Sequence, residues 1–166
     1  MISIVIMIVS LILDGILSNF LPYNELSLFT PLLTVVSIFL IYPFYKKKET
    51  KYFNILFILG ILYDLFYTNL LFFNAAMFLI IGYVTKIIYK NLEISIIKLI
   101  IYLITVIIVY ELATSTTIFI FNLVPITMTK VIYKITHSLL LNIIYGELVY
   151  IILKLIPKKY KKMNIN

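Results

Sequence analysis

"GILYDLFYTN", residues 60–69, sets a single carboxylate, Asp64, near the end of a run that is otherwise almost entirely apolar. Whether that acid meets water, another helix or a chemical task depends on the solvent around the chain, and composition decides this first. Of 166 residues, 63% are hydrophobic and 13% charged, and the mean hydropathy is +1.12. Ordinary soluble domains are about 45–50% apolar and about 25% charged. A water-soluble fold of this length has too little interior to hide that much apolar surface. Lipid is the expected solvent, and the length suits a single membrane domain.

About 20 apolar residues cross a bilayer as a helix. The sequence divides into six such stretches, an all-α bundle with spans at 1–21, 26–45, 52–67, 70–89, 94–112 and 135–156. The first lacks the basic start and small-residue cleavage site of a signal peptide, so a retained helix is expected. Pro31 fits an opening turn of the second, and Pro43 marks its exit. "TN" at 68–69 offers Thr68 and Asn69 as an N-cap pair for the fourth span. The fifth is apolar through Tyr110 and runs past Glu111 into "LATSTTIFIFNLVPITMTK", where the periodicity weakens. Residues 118–124 are too few to cross alone and read as a long exit or an interfacial segment. Pro157 ends the sixth span.

Six crossings put both termini on one side, and lysine placement selects the side. Lys46, Lys47, Lys48, Lys51, Lys86, Lys90, Lys98, Lys154, Lys158, Lys159, Lys161 and Lys162 share it, and only Lys130 and Lys134 lie opposite. The positive-inside rule then makes both termini cytoplasmic. Short lysine clusters between apolar spans set orientation, so the net charge of +7 does not imply nucleic acid.

Chemistry-bearing motifs are absent from the sequence. There is no Cys and a single His, which excludes disulfides, thiolate sites and multi-His metal centres. Gly15, Gly60, Gly82 and Gly146 form no phosphate loop, and no HExxH, paired carboxylates or Arg ladder occurs. "TSTT" at 114–117 has hydroxyls without a neighbouring His or Lys to activate one. The reading is no enzyme, with no catalytic, cofactor-binding or metal residues.

Ionisable groups inside spans are costly, from about 2.5 kcal/mol upward at mid-membrane, so each raises a question of depth. At about 1.5 Å per residue, Asp64 lies roughly 18 Å beyond Tyr52. Three roles stay open for it: a carboxylate near the outer headgroups, a buried contact fixing the third span, or a catalytic acid lacking a partner group. Glu111 should surface at the outer interface. Asp14 falls in the outer half of the first span and Glu147 in the inner half of the sixth. His137 reads as a hydrogen-bonded residue at the outer edge. Ser138, Asn142 and Gly146 share one helix face, and Asn74 and Ala75 lie close to the line running to Gly82. Small residues permit close helix approach and Asn seeks a partner in lipid. Internal packing and presentation to another membrane protein both fit these residues.

Two stretches carry a family resemblance. "GILYDLFYTNLLFFNAAMFLIIGYV", residues 60–84, resembles the central signature of the rod-shape-determining protein MreD family. In that signature Gly-x-x-x-Asp ends the third span, a short outer turn follows and Asn-Ala opens the fourth. Gly60, Asp64, Asn74, Ala75 and Gly82 occupy those places. "HSLLLNIIYGELVYIILKLIPKK", residues 137–159, is similar to the family's final span through Asn142 and Tyr150. The family often has a Gly just before the Asn-Ala pair, where this chain has Phe72 and Phe73, and its first span usually lacks an acid like Asp14.

The resemblance implies a non-enzymatic, multi-pass scaffold of the bacterial inner (plasma) membrane that helps determine cell shape. Its implied partners are an MreC-like bitopic protein and, through it, an MreB-like actin homologue and the peptidoglycan synthases, with membrane lipid around it and no cofactor. The fold implied is similar to the six-helix substrate-binding subunits of energy-coupling-factor vitamin transporters. Such a subunit is the alternative function, although span one lacks the small residues four apart that dock a coupling partner. Glu111, "TSTT" and His137 would line its cavity.

Overall fold

A computed structural model of the chain describes residues 2–20, 30–68, 70–90 and 96–155. Asn69, the starts expected for spans two and five, and the lysine-rich tail beyond Leu155 lie outside the described residues. Among the described residues every regular element is helical: α1 (Ile2–Phe20), α2 (Leu33–Ile41) continued by a 3₁₀ turn (Tyr42–Phe44), α3 (Glu49–Tyr67), α4 (Phe73–Lys90), α5 (Ile96–Ile120) and α6 (Met128–Leu155). Four of these, α1, α4, α5 and α6, are long and apolar enough to cross a membrane. The chain is a helical membrane protein.

Helix α1 shows why. Ser3, Met7, Ser10, Leu11, Asp14 and Gly15 recur at helical spacing and are buried, whereas Ile4, Val5, Ile8, Val9, Ile12 and Ile16 are exposed. Its polar groups therefore point inward and its branched aliphatics outward. A helix in water shows the reverse, and one in lipid needs this arrangement, because hydroxyls and carboxylates find partners only inside the protein. Ser10 bonds Ser37 of α2 and Tyr145 of α6, the latter at 2.6 Å, and Ser3 bonds Tyr45 at 2.8 Å.

Helix α2 is the hub. All nine of its residues are buried, and it packs against α1, α4, α5 and α6. With its 3₁₀ turn it extends about 20 Å, less than a hydrocarbon core of about 30 Å. Pro31 is buried and the helix begins only at Leu33, so the proline lies in an irregular entry ahead of the helix and not in its opening turn.

The last two helices outrun their expected bounds. Helix α5 continues to Ile120 through the hydroxyl-rich stretch, because neither Gly nor Pro interrupts it and the hydroxyls bond back to their own helix. Thr114 donates to the Tyr110 carbonyl at 3.0 Å and Thr117 to that of Ala113 at 2.8 Å. A turn with Asn122 in the left-handed region (φ 50°) ends it, and α6 starts at Met128, seven residues before the expected Ile135. Residues 118–124 thus divide between a helix end and this turn.

Helices α3 and α4 form the closest pair. A Cβ at Gly60 would overlap the backbone of Asn74 and Ala75, and one at Gly82 would strike Leu56. At the lysine-rich end, rings fill the bundle. Tyr52 is fully buried, meets Tyr42 edge-on at 5.1 Å and donates to the Ile38 carbonyl at 2.9 Å. Tyr89 packs against Phe39 at 5.1 Å and Tyr42 at 5.4 Å.

Candidate functional site

The opposite end is built by side chains that cap helices other than their own. Asp64, 1% exposed at the end of α3, accepts from the Asn74 backbone N–H with both oxygens at 3.0 Å. It also takes the Asn74 amide at 2.8 Å, the Ala75 N–H at 3.4 Å and the Thr68 hydroxyl at 2.9 Å. The first N–H groups of a helix have no partner within it, and the helix start carries about half a positive charge. Asp64 answers both needs of α4. Thr68 ends α3 in an extended conformation and supplies no cap to α4.

Asp14 does the same for α2. Its two oxygens accept from the Leu33 and Thr34 N–H groups at 2.7 and 2.9 Å. Asn142, fully buried on α6, completes that start. Its oxygen accepts from the Leu32 N–H at 2.7 Å, and its amide donates to the carbonyls of Thr30 at 2.8 Å and Ser138 at 2.5 Å. Two helices that begin inside an apolar bundle thus have their orphan donors met from α1, α3 and α6. Non-helical backbone at membrane depth is tolerated only with such partners.

The residues singled out from sequence fall into place around these caps. Asp64 is a buried contact between helices, not a headgroup carboxylate. Asn74 relays it: its own oxygen accepts the Tyr110 hydroxyl at 2.9 Å, which ties α3, α4 and α5 together. Ala75 and Gly82 are buried in the α3–α4 contact. Ser138, Asn142 and Gly146 do share a face, and all three are buried, with Gly146 against Leu103 and Val36. Neither asparagine faces outward, so neither is presented to a helix outside the bundle. His137 is half-buried, stacks on Tyr133 at 3.7 Å and bonds the Tyr133 carbonyl at 2.9 Å.

Glu111 departs from its expected place. It is 4% exposed, within the bundle and not at a solvated interface, and it lines a cavity of about 560 Å³ at the capped end. The ends of α1 and α3, the start of α4, the middle of α5 and the start of α6 line this open space. Tyr63, Tyr67 and Tyr110 line it with Phe66 and Phe73, and Thr114 and Lys134 contribute further polar groups. Lys134 attracts the Glu111 charge, and Asp14, Asp64 and Glu111 all lie within electrostatic reach of Tyr110. Among the described residues, no three of His, Cys, Asp and Glu come together to hold a metal.

Sequence reading found Asp64, Asn74 and Asn142 but not the tyrosines or Lys134, because helical spacing says nothing about which helices converge. The pairing of Asp14 with α2 did leave a trace, since Asp14 falls on the same face as Ser3, Met7 and Ser10. Comparison of the chain with protein-family models, curated proteins and solved structures finds no match.

Proposed function

We propose that this chain is a non-enzymatic scaffold of the bacterial cell-elongation machinery, of the MreD kind. It crosses the inner membrane six times with both termini cytoplasmic, and it couples MreC- and MreB-like partners to peptidoglycan synthesis. One observation carries the proposal. The residues of the resemblance, Gly60, Asp64, Asn74 and Ala75, make a single structural unit in which Gly60 admits the α4 backbone and Asp64 caps it. The resemblance residues thus coincide with the tightest approach of α3 and α4. Phe72, in the Phe72–Phe73 pair that departs from the family's glycine, has φ 67°, a left-handed conformation that favours glycine.

A scaffold needs rigidity more than reactivity, and the buried acids serve it. Asp14 and Asp64 have their oxygens filled by backbone donors and are poor candidates for proton transfer. In this reading the segment that contains α2, and helix α3, supply the two crossings besides the four helices long and apolar enough to cross. The test is co-purification in mild detergent with a co-expressed, single-span MreC-like protein, alongside a reporter fused to the carboxyl terminus. Recovery of the complex with a cytoplasmic reporter is expected; an external reporter, or no complex at any expression ratio, counts against the proposal.

The cavity beside Glu111 favours a second reading, the substrate-binding subunit of a vitamin transporter, since its volume lies within the usual range of about 300–1,000 Å³ for ligand sites. Thermal stabilisation by a water-soluble vitamin would move the assignment there.

A further inference from the structure

We infer that the cavity at the capped end is a binding site for a small organic ammonium ion, with Glu111 as its counter-charge and tyrosine rings as its walls. The inference stands on the cavity alone and holds under either role proposed above.

Asp14, Asp64 and Asn142 each hold a helix start, whereas Glu111 sits in the middle of α5, where backbone donors already serve their own helix. Ionisable residues within membrane helices mark functional sites by default, because burial is costly unless it serves something. Glu111 is 4% exposed and lines the cavity. Tyr63, Tyr67 and Tyr110 line the same cavity, and the carboxylates of Asp14 and Asp64 lie within electrostatic reach of Tyr63 and Tyr110. Helix starts compensate those two acids, whereas the charge of Glu111 is attracted by Lys134. A buried carboxylate in a cavity lined by aromatic residues is the chemistry that selects an ammonium, through charge and through the rings' negative faces.

Lys134 is then the resident cation that a ligand replaces. It is half-buried at the start of α6, and its flexible four-carbon stem lets the ammonium leave without a backbone shift. An ammonium ligand reaches Glu111 either as a free solute or as the headgroup of an aminophospholipid.

Choline and 3,3-dimethylbutan-1-ol are near-isosteric and differ in charge, so they isolate the claim. In lipid-free maltoside micelles, choline is expected to bind the full chain saturably at least tenfold more tightly than the alcohol. Glu111→Gln, which keeps shape and removes charge, should abolish that preference. Lys134→Gln, which removes the competing cation, should tighten choline binding several-fold. A solute-derived ligand gives this pattern with free choline. A lipid-derived one gives Glu111-dependent retention of phosphatidylethanolamine over phosphatidylglycerol in nanodiscs, without choline binding. Equal binding of choline and the alcohol, a preference that survives Glu111→Gln, weaker choline binding in Lys134→Gln, or failure of both ammonium sources overturns the inference.

Discussion

The two ends of the bundle solve the same problem in opposite ways. At the lysine-rich end, Tyr42, Tyr52, Tyr89 and Phe39 fill the space between helices with rings, and the polar atom of Tyr52 finds a backbone carbonyl. At the other end, helices α2 and α4 begin inside the protein, and acids or amides from α1, α3 and α6 satisfy their first N–H groups. Rings give a packed end that tolerates loss of one polar atom. Trans-capping gives an end in which single carboxylates hold several donors at once, and room is left for a polar cavity. The difference places both the carboxylate caps and the polar cavity at one end of the bundle.

Substitutions should divide along that line. Asp64→Leu strands the Asn74 and Ala75 N–H groups and the Asn74 amide, at about 1–3 kcal/mol per buried unsatisfied group. A loss of about 3 kcal/mol or more in detergent unfolding is expected, with Asp64→Asn losing less. Asn142→Leu should destabilise α2 by a similar route and lower the yield of folded protein before it affects any partner. Gly60→Ala forces α3 from the α4 backbone and should cost about 1–3 kcal/mol. At the ring-packed end, Tyr52→Phe removes one hydroxyl, keeps the ring and should cost only about 1 kcal/mol by thermal unfolding. A Tyr52→Phe loss matching that of Asp64→Leu would erase the contrast.

Smaller effects sharpen it. Phe72 carries left-handed backbone, a conformation that costs a non-glycine residue about 1–3 kcal/mol. Phe72→Gly relieves this strain but gives up the stack on Phe57 and adds freedom to the unfolded chain, so a change within about 1 kcal/mol is expected. The least effect comes from the surface pair of Lys86 and Glu49, 2.6 Å apart at the ring-packed end. The hydrogen bond from Lys86 holds the Glu49 carboxyl below its ordinary value of 4.5. Its contribution is present above that value and fades as pH falls through the depressed one. The stability gap between the wild type and Glu49→Gln should therefore close on acidification.

Much of this was legible in the residues. Apolar runs without Pro gave the long helices, and Asn74 and Asn142 were legible as packing residues because lipid offers them nothing, while three roles stayed open for Asp64. Two things were not legible. Pro31 and the apolar run after it look alike whether α2 is a full crossing or a short central rod, and only the packing of α1, α4, α5 and α6 around it separates the cases. Glu111 follows a stretch long enough to cross, so counting residues put it at the surface. Instead α5 is 25 residues long, and Glu111 falls well inside it.

Backbone amide hydrogen exchange in detergent micelles tests the trans-capping claim most directly. The N–H groups of Leu33, Thr34, Asn74 and Ala75 should exchange as slowly as mid-helix amides, although they stand at helix starts. Asp64→Asn should speed Asn74 and Ala75 while leaving Leu33 and Thr34 unchanged. Fast exchange at all four sites in the unmodified chain would contradict the account.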